Sequence, residues 1–147
     1  MKEFTLGFIF DKTGNNVLLV HKMKPAWQAG RINGIGGKVE EGETPAECIA
    51  RETLEEACLV IPATAWIYLG RISTDNWEMH TFATTYNGNM NDAKKGDYEE
   101  VAWFPVDELP QGCIQNLTWL IPFARERMEE NTEGTFQVRY ENDVASS

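Results

Sequence analysis

The order of its segments predicts an α+β fold, an α/β/α sandwich, and three observations carry that expectation. Alternating apolar residues open the chain. One strongly capped helix follows a glycine-rich loop near residue 45. A second run of strands then precedes a second helix. Strands come in blocks separated by helices rather than in strict βαβ alternation, which argues against a doubly wound parallel sheet. A chain of 147 residues corresponds to about one domain. No repeat, low-complexity stretch or linker divides it, so one domain over 1–147 is expected, with the last few residues frayed.

Each element follows from local pattern. Phe4, Leu6, Phe8 and Phe10 alternate with other residues, as a half-buried strand requires. Residues 11–16 (DKTGNN) are turn chemistry, and Val17 to Lys22 reads as the returning strand of a hairpin. Residues 23–36, with Pro25, Gly30, Gly34 and Gly36, read as a loop. A helix is expected over 45–57. Two β-rich runs follow at 66–74 and 77–86, with Asp75-Asn76 as the turn. Residues 87–97 are polar and read as a loop. Glu100 to Phe104 resembles a strand ended by Pro105. A second helix is expected over 115–130 and a last strand over 135–140.

Charge and composition narrow the function. Thirteen basic and 23 acidic residues leave a net charge of −10. Broad binding to a nucleic-acid polymer or an anionic membrane needs basic patches, so neither is expected. A carboxylate cluster, however, holds divalent cations, which in turn hold phosphate. No apolar run approaches the ~18 residues of a membrane span, and the N-terminus lacks the apolar core of a secretory signal. A cytoplasmic location is the expectation. Cys48, Cys58 and Cys113 are odd in number and widely spaced, so reduced thiols are expected. His21 and His80 stand alone on strands and read as structural. Nothing resembles a Ser-His-Asp set, a zinc site or a P-loop.

The helix at 45–57 carries the chemistry. Thr44 is an N-cap, Pro45 occupies the first helical position, and Glu47 completes a capping box. At 100° steps, Ala46, Ile49, Ala50, Thr53, Leu54 and Ala57 form a core face. Glu52, Glu55 and Glu56 gather opposite, at i, i+3 and i+4, where like charges repel by a few tenths of a kcal/mol per pair. Such a face is ordinarily just solvated. Here it follows tight backbone at 34–37 (GIGG), an arrangement suited to hard cations such as Mg²⁺ or Mn²⁺. Glu43 and Arg51 bracket the helix; they read as an orienting pair or as a surface ion pair worth at most about 1 kcal/mol.

The run from Gly37 to Leu59 closely resembles the Nudix box: Gly, five residues, Glu, seven residues, Arg-Glu, an aliphatic, any residue, Glu-Glu, any residue, Gly, an aliphatic. Every charged position and both long gaps match. Thr53 stands where an aliphatic is usual, and Cys58 replaces a glycine that permits a left-handed turn. Cys58 implies either a cost of about 1 kcal/mol or a different helix end. The resemblance implies a Nudix-type α/β/α sandwich around a mixed β-sheet. It implies Glu52, Glu55 and Glu56 as metal ligands, joined by the Gly37 carbonyl and by Glu99 or Glu100, and Glu43 and Arg51 as the orienting pair. The implied reaction is attack of a metal-activated water on phosphorus, with Glu52 the first candidate for general base and Glu56 its partner in catalysis. Lys22 and Lys38 are candidates for pairing with outer phosphates, or surface charges.

Residues 29–44 further resemble the MutT-type diphosphatases of oxidised purine nucleoside triphosphates. That likeness implies Asn33 as a reader of the purine edge, beside Gly36 and Gly37; the alternative for Asn33 is a turn before Gly34. Asn116 is the matching polar residue at the second helix, or its N-cap. Trp27 and Trp119 are candidates for stacking on the base, or packing residues. An Asp-Asp pair found in the animal enzymes is lacking, which leaves base preference open. Three functions therefore stand: an 8-oxo-dGTP-type diphosphatase, a Nudix enzyme for ADP-ribose, a dinucleoside polyphosphate or a cap-like nucleotide, and a non-catalytic nucleotide-binding regulator. A small nucleotide is the expected partner, with the protein a monomer or homodimer.

Overall fold

A computed structural model describes residues 1–23, 29–96, 99–130 and 133–141. The strands are β1 (Lys2–Asp11), β2 (Asn16–His21), β3 (Ile32–Asn33), β4 (Ile35–Lys38), β5 (Ile67–Ser73), β6 (Trp77–Tyr86), β7 (Val101–Pro105) and β8 (Phe136–Arg139). The helices are α1 (Pro45–Ala57) and α2 (Leu117–Glu130). The strands form one mixed sheet in the order β3-β2-β1-β6-β5-β8, with β4 on β1 and β7 on β2. The first strand is its axis. It pairs with β6 in parallel over its whole length, while its other edge is shared. Phe4 to Gly7 pair with β4, and Ile9 and Phe10 pair with β2.

The period-2 pattern of β1 distributes the core between two faces. Leu6, Phe8 and Phe10 point to one side, with Val17 and Leu19, and pack against Leu117, Leu120, Ile121 and Ala124 of α2. Ile9 points to the other, with Leu18, Val20 and Ile35, against Ile49 and Ala57 of α1. The result is the expected α/β/α sandwich. The same parity carries Lys22, two residues beyond Val20, to the α1 side of the sheet.

Several boundaries differ from the sequence reading. The stretch 23–36 is not all loop: β3 and the start of β4 lie in it. Gly34 and Gly36 mark close backbone approach, while Gly30 takes a left-handed turn conformation. A Cβ on Gly36 would lie 1.9 Å from the Thr5 carbonyl oxygen across the strand pair. The second helix starts at Leu117, after Gln115 and Asn116 form a turn. Loop 87–96 is also more than a connection. Its Lys94 and Gly96 N–H groups donate to the carbonyls of Ala57 and Glu56, at 2.9 and 3.0 Å. They satisfy terminal acceptors that a helix leaves open. Residues 97–98, 131–132, 142–147 and the segment 24–28, which contains Trp27, lie outside the described residues.

Candidate active site

The start of α1 forms as its sequence dictates. Glu47 N–H donates to Thr44 Oγ1 at 3.1 Å, and the Glu47 carboxylate accepts from Thr44 N–H at 2.9 Å. The other end keeps a left-handed cap even without glycine: Cys58 adopts φ 59°, ψ 23°, and its N–H donates to Leu54 O at 3.1 Å. The geometry survives the substitution and carries its strain. Thr53 is buried, and its hydroxyl donates to Ile49 O at 2.7 Å, so the polar atom costs little in the core. All three cysteines are free thiols.

The buried stripe of α1 is not the one the helical wheel suggested. Leu54 is half exposed, whereas Cys48, Ile49, Thr53, Glu56 and Ala57 are buried. The apolar face gives way to a carboxylate because buried partners await it. Glu56 Oε2 accepts from Gly36 N–H at 3.0 Å, and Oε1 meets Lys22 Nζ at 3.1 Å. Lys22 Nζ also lies 3.3 Å from Glu99 Oε1, and the other Glu99 oxygen accepts from Met23 N–H. Glu99 is thus buried beside Glu56. Glu100 points outward to Lys95. Of the two glutamates left open in the sequence, Glu99 is the one that lies buried against Lys22. It is delivered there by the loop pinned to the end of α1.

Arg51 organises the second half of the site. Its Nε and one terminal nitrogen fork onto both oxygens of Glu43, at 2.8 and 3.0 Å. The same terminal nitrogen donates to Lys38 O at 3.1 Å. The other reaches Glu52 Oε1 at 2.9 Å and Glu55 Oε2 at 3.1 Å. A planar guanidinium alone offers such a fork. One cation therefore sets the direction of three carboxylates and ties them to the end of β4. Gly37 makes room for this: a Cβ there would lie 2.4 Å from Glu52 Oε1. Glycine is thus required at 36 by the sheet and at 37 by the site.

Burial perturbs these groups unequally. It raises the Glu56 carboxyl to about 7, against the pull of Lys22, and it raises Glu52 against the pull of Arg51. The fork from Arg51 holds Glu43 below the usual carboxylate range. Cys48 lies 3.2 Å from Thr5 Oγ1, and burial pushes its thiol up to about 12, which leaves it unreactive.

The remaining candidates are placed as follows. Asn33 lies on β3 and its Oδ1 accepts from Gly34 N–H at 2.8 Å, the turn role considered from sequence. Ile32 bridges to Cys113 and accepts from Ile114 N–H, which brings the segment leading to Asn116 alongside β3. Asn116 precedes α2, and its Oδ1 accepts from Tyr140 O–H at 3.2 Å. Trp119 packs edge-on against Phe136, centroids 5.2 Å apart. The Lys38 side chain is exposed at the end of β4. Sequence reasoning did not single out Tyr140, Cys48 or Glu40, whose carboxylate lies 3.7 Å from Arg51. Lys22 was read as a phosphate partner or a surface charge, and it is buried instead; its parity with Leu18 and Val20 was the signal that it faces α1. His80, read as structural, bonds Tyr68 O–H through Nδ1 and faces Glu3 through Nε2 at 3.3 Å.

The donors fit a hard divalent cation in chemistry: Glu52, Glu55, Glu56 and Glu99 offer carboxylate oxygens beside the Gly37 carbonyl. Among the described residues these four side chains do not bring three ligand atoms within 4.8 Å of one another; two carboxylate oxygens and a ring nitrogen of Glu3, Glu78 and His80 do so elsewhere.

A sandwich of this topology with this box defines a Nudix domain, and the family model for the NUDIX domain matches residues 5–129. The chain belongs to the Nudix family. It is 32% identical over 111 residues to the oxidized purine nucleoside triphosphate hydrolase of Danio rerio, covering 69% of this chain and 68% of that one. It is 29% identical over 99 residues to the NAD-capped RNA hydrolase NudC of Chromobacterium violaceum. That match covers 67% of this chain but spans only 37% of the length of NudC. Its fold superposes on a NUDIX hydrolase from Nitrosomonas europaea with a TM-score of 0.75 at 19% identity, covering 96% of this chain and 79% of the other. Among the described residues, no helix is long and apolar enough to cross a membrane.

Proposed function

We propose that the chain is a single-domain, cytoplasmic Mg²⁺-dependent diphosphatase that cleaves the diphosphate linkage of a purine nucleoside triphosphate, with an oxidised purine such as 8-oxo-dGTP preferred. The products are the monophosphate and pyrophosphate. The observation that carries the reading is the intact carboxylate array of α1, oriented by the Arg51–Glu43 fork and completed by Glu99. Glu52, Glu55, Glu56 and Glu99 with the Gly37 carbonyl would hold Mg²⁺ or Mn²⁺, which would supply charge neutralisation at the phosphoryl oxygens and a lowered pKa for the attacking water. Glu52, whose carboxyl burial raises, would take the proton of the attacking water. Arg51 keeps Glu52 and Glu55 aimed, and Lys38 supplies positive charge for an outer phosphate. Asn33 and Asn116, on neighbouring segments, form the base end, with Trp119 beside them.

The similarity to NudC supports a second reading, a Nudix pyrophosphatase for a dinucleotide-like substrate such as ADP-ribose. A regulator that has lost catalysis is the least favoured, because every carboxylate of the box is present. Release of pyrophosphate from a panel of nucleotides, with and without Mg²⁺, tests all three. Turnover of 8-oxo-dGTP above dGTP and ADP-ribose is expected, and Asn33→Ala is expected to lower that preference. Faster turnover of ADP-ribose selects the second reading, and no turnover of any substrate selects the third.

A further inference from the structure

Resting on that reading of the metal site, we propose that Lys22 is a positioning residue: its ammonium clamps Glu56 and Glu99 together and presets that carboxylate pair before a divalent cation binds. The three residues come from the end of β2, one position beyond His21, from α1 and from the segment before β7, and no two are neighbours in sequence. Yet Lys22 Nζ lies 3.1 Å from Glu56 and 3.3 Å from Glu99, and the three side chains are only 9%, 10% and 7% exposed. Each carboxylate has its second oxygen held by a backbone N–H, Gly36 for Glu56 and Met23 for Glu99. Among the described residues, the ammonium is the one buried positive charge in contact with both. Pulling it toward a phosphate would leave two carboxylates facing each other away from water, which is strongly unfavourable. It follows that Lys22 acts on the glutamates rather than on the substrate. A divalent cation then joins a pair that is already assembled.

Removal of the ammonium should make folding depend on the metal. Lys22→Met is expected to lower the Tm of the metal-free protein by roughly 10 °C, the scale for breaking a buried ion pair in a domain of this size. Saturating Mg²⁺ without nucleotide should recover at least half of that loss, a much larger shift than in the unaltered protein. Lys22→Arg, which keeps the charge, should retain most of the stability. The double variant Lys22→Met/Glu99→Gln should recover stability without metal, because one of the facing charges is gone. That variant also serves if Lys22→Met alone does not fold. Equal Mg²⁺ shifts in Lys22→Met and the unaltered protein would overturn the clamp, as would a double variant no more stable than Lys22→Met. Unchanged metal-free stability with a raised KM for nucleotide would make Lys22 a phosphate ligand instead. If the unaltered protein shows no response to Mg²⁺ or Mn²⁺, the metal reading fails; the double variant still decides the clamp.

Discussion

The two faces of the sheet are built on different principles. On the α2 face, Leu6, Phe8, Phe10, Leu117, Leu120 and Ile121 fill the interface with hydrocarbon, and no charged side chain is buried among them. On the α1 face, the same kind of apolar packing by Ile9, Leu18, Val20 and Ile49 ends abruptly at Lys22, Glu56 and Glu99. One face is held by area removed from water. The other is held partly by ion pairs, which contribute little net stability once desolvation is counted, but which fix direction. Among the described residues, the buried lysine and glutamates cluster at the candidate site, and the other buried charge, Asp11, is bonded within the β1–β2 turn.

Substitutions on the two faces should separate accordingly. The largest effect is expected for Glu56→Gln, which should lower kcat by at least about a hundredfold, some 3 kcal/mol in the barrier, while the Tm changes by only a few degrees. Steady-state pyrophosphate release and a thermal melt measure both. Leu120→Ala on the opposite face should do the reverse: a loss of about 2–5 kcal/mol in denaturant unfolding, with kcat per folded molecule retained. A kcat loss in Leu120→Ala as large as that in Glu56→Gln would erase the distinction between the faces. Gly37→Ala sharpens it further. Its Cβ would push Glu52 off Arg51, so turnover should fall about tenfold with little change in stability. Gly36→Ala should instead damage folding, because its Cβ meets the Thr5 backbone. The smallest effect is at the end of α1. Cys58→Gly removes a side chain from a left-handed residue and should stabilise by roughly 1 kcal/mol, read as a shift in the unfolding midpoint.

The same contrast explains what could be read from sequence. The ends of α1 were legible because caps act over three or four residues: Thr44, Pro45 and Glu47 specify its start with no help from the rest of the chain. The Arg51–Glu43 pair was legible because its eight-residue spacing is part of a pattern of fixed chemistry. The buried stripe of α1 was misread at Leu54 and Glu56, because a helical wheel assigns faces by polarity. It cannot know that Lys22 and Gly36, both distant in sequence, wait to satisfy a carboxylate. That Glu99 rather than Glu100 lies buried beside Glu56 was hidden for a similar reason. It depends on Lys94 and Gly96 bonding to the end of α1, contacts made only once the chain has folded. The start of the strand Ile35–Lys38 looked like loop because Gly36 serves close approach to β1 rather than flexibility.

The central claim is that the glutamates of α1 grip the cation that the chemistry requires. A crystal structure of the protein with Mn²⁺ and a non-hydrolysable nucleoside triphosphate analogue tests it most directly, through the anomalous signal of the metal. The account predicts Mn²⁺ bonded to Glu52 and Glu56 and to the phosphate chain, with Arg51 still forked on Glu43. Mn²⁺ seated only at Glu3, Glu78 and His80, or phosphates bound away from α1 with no metal between, would contradict it.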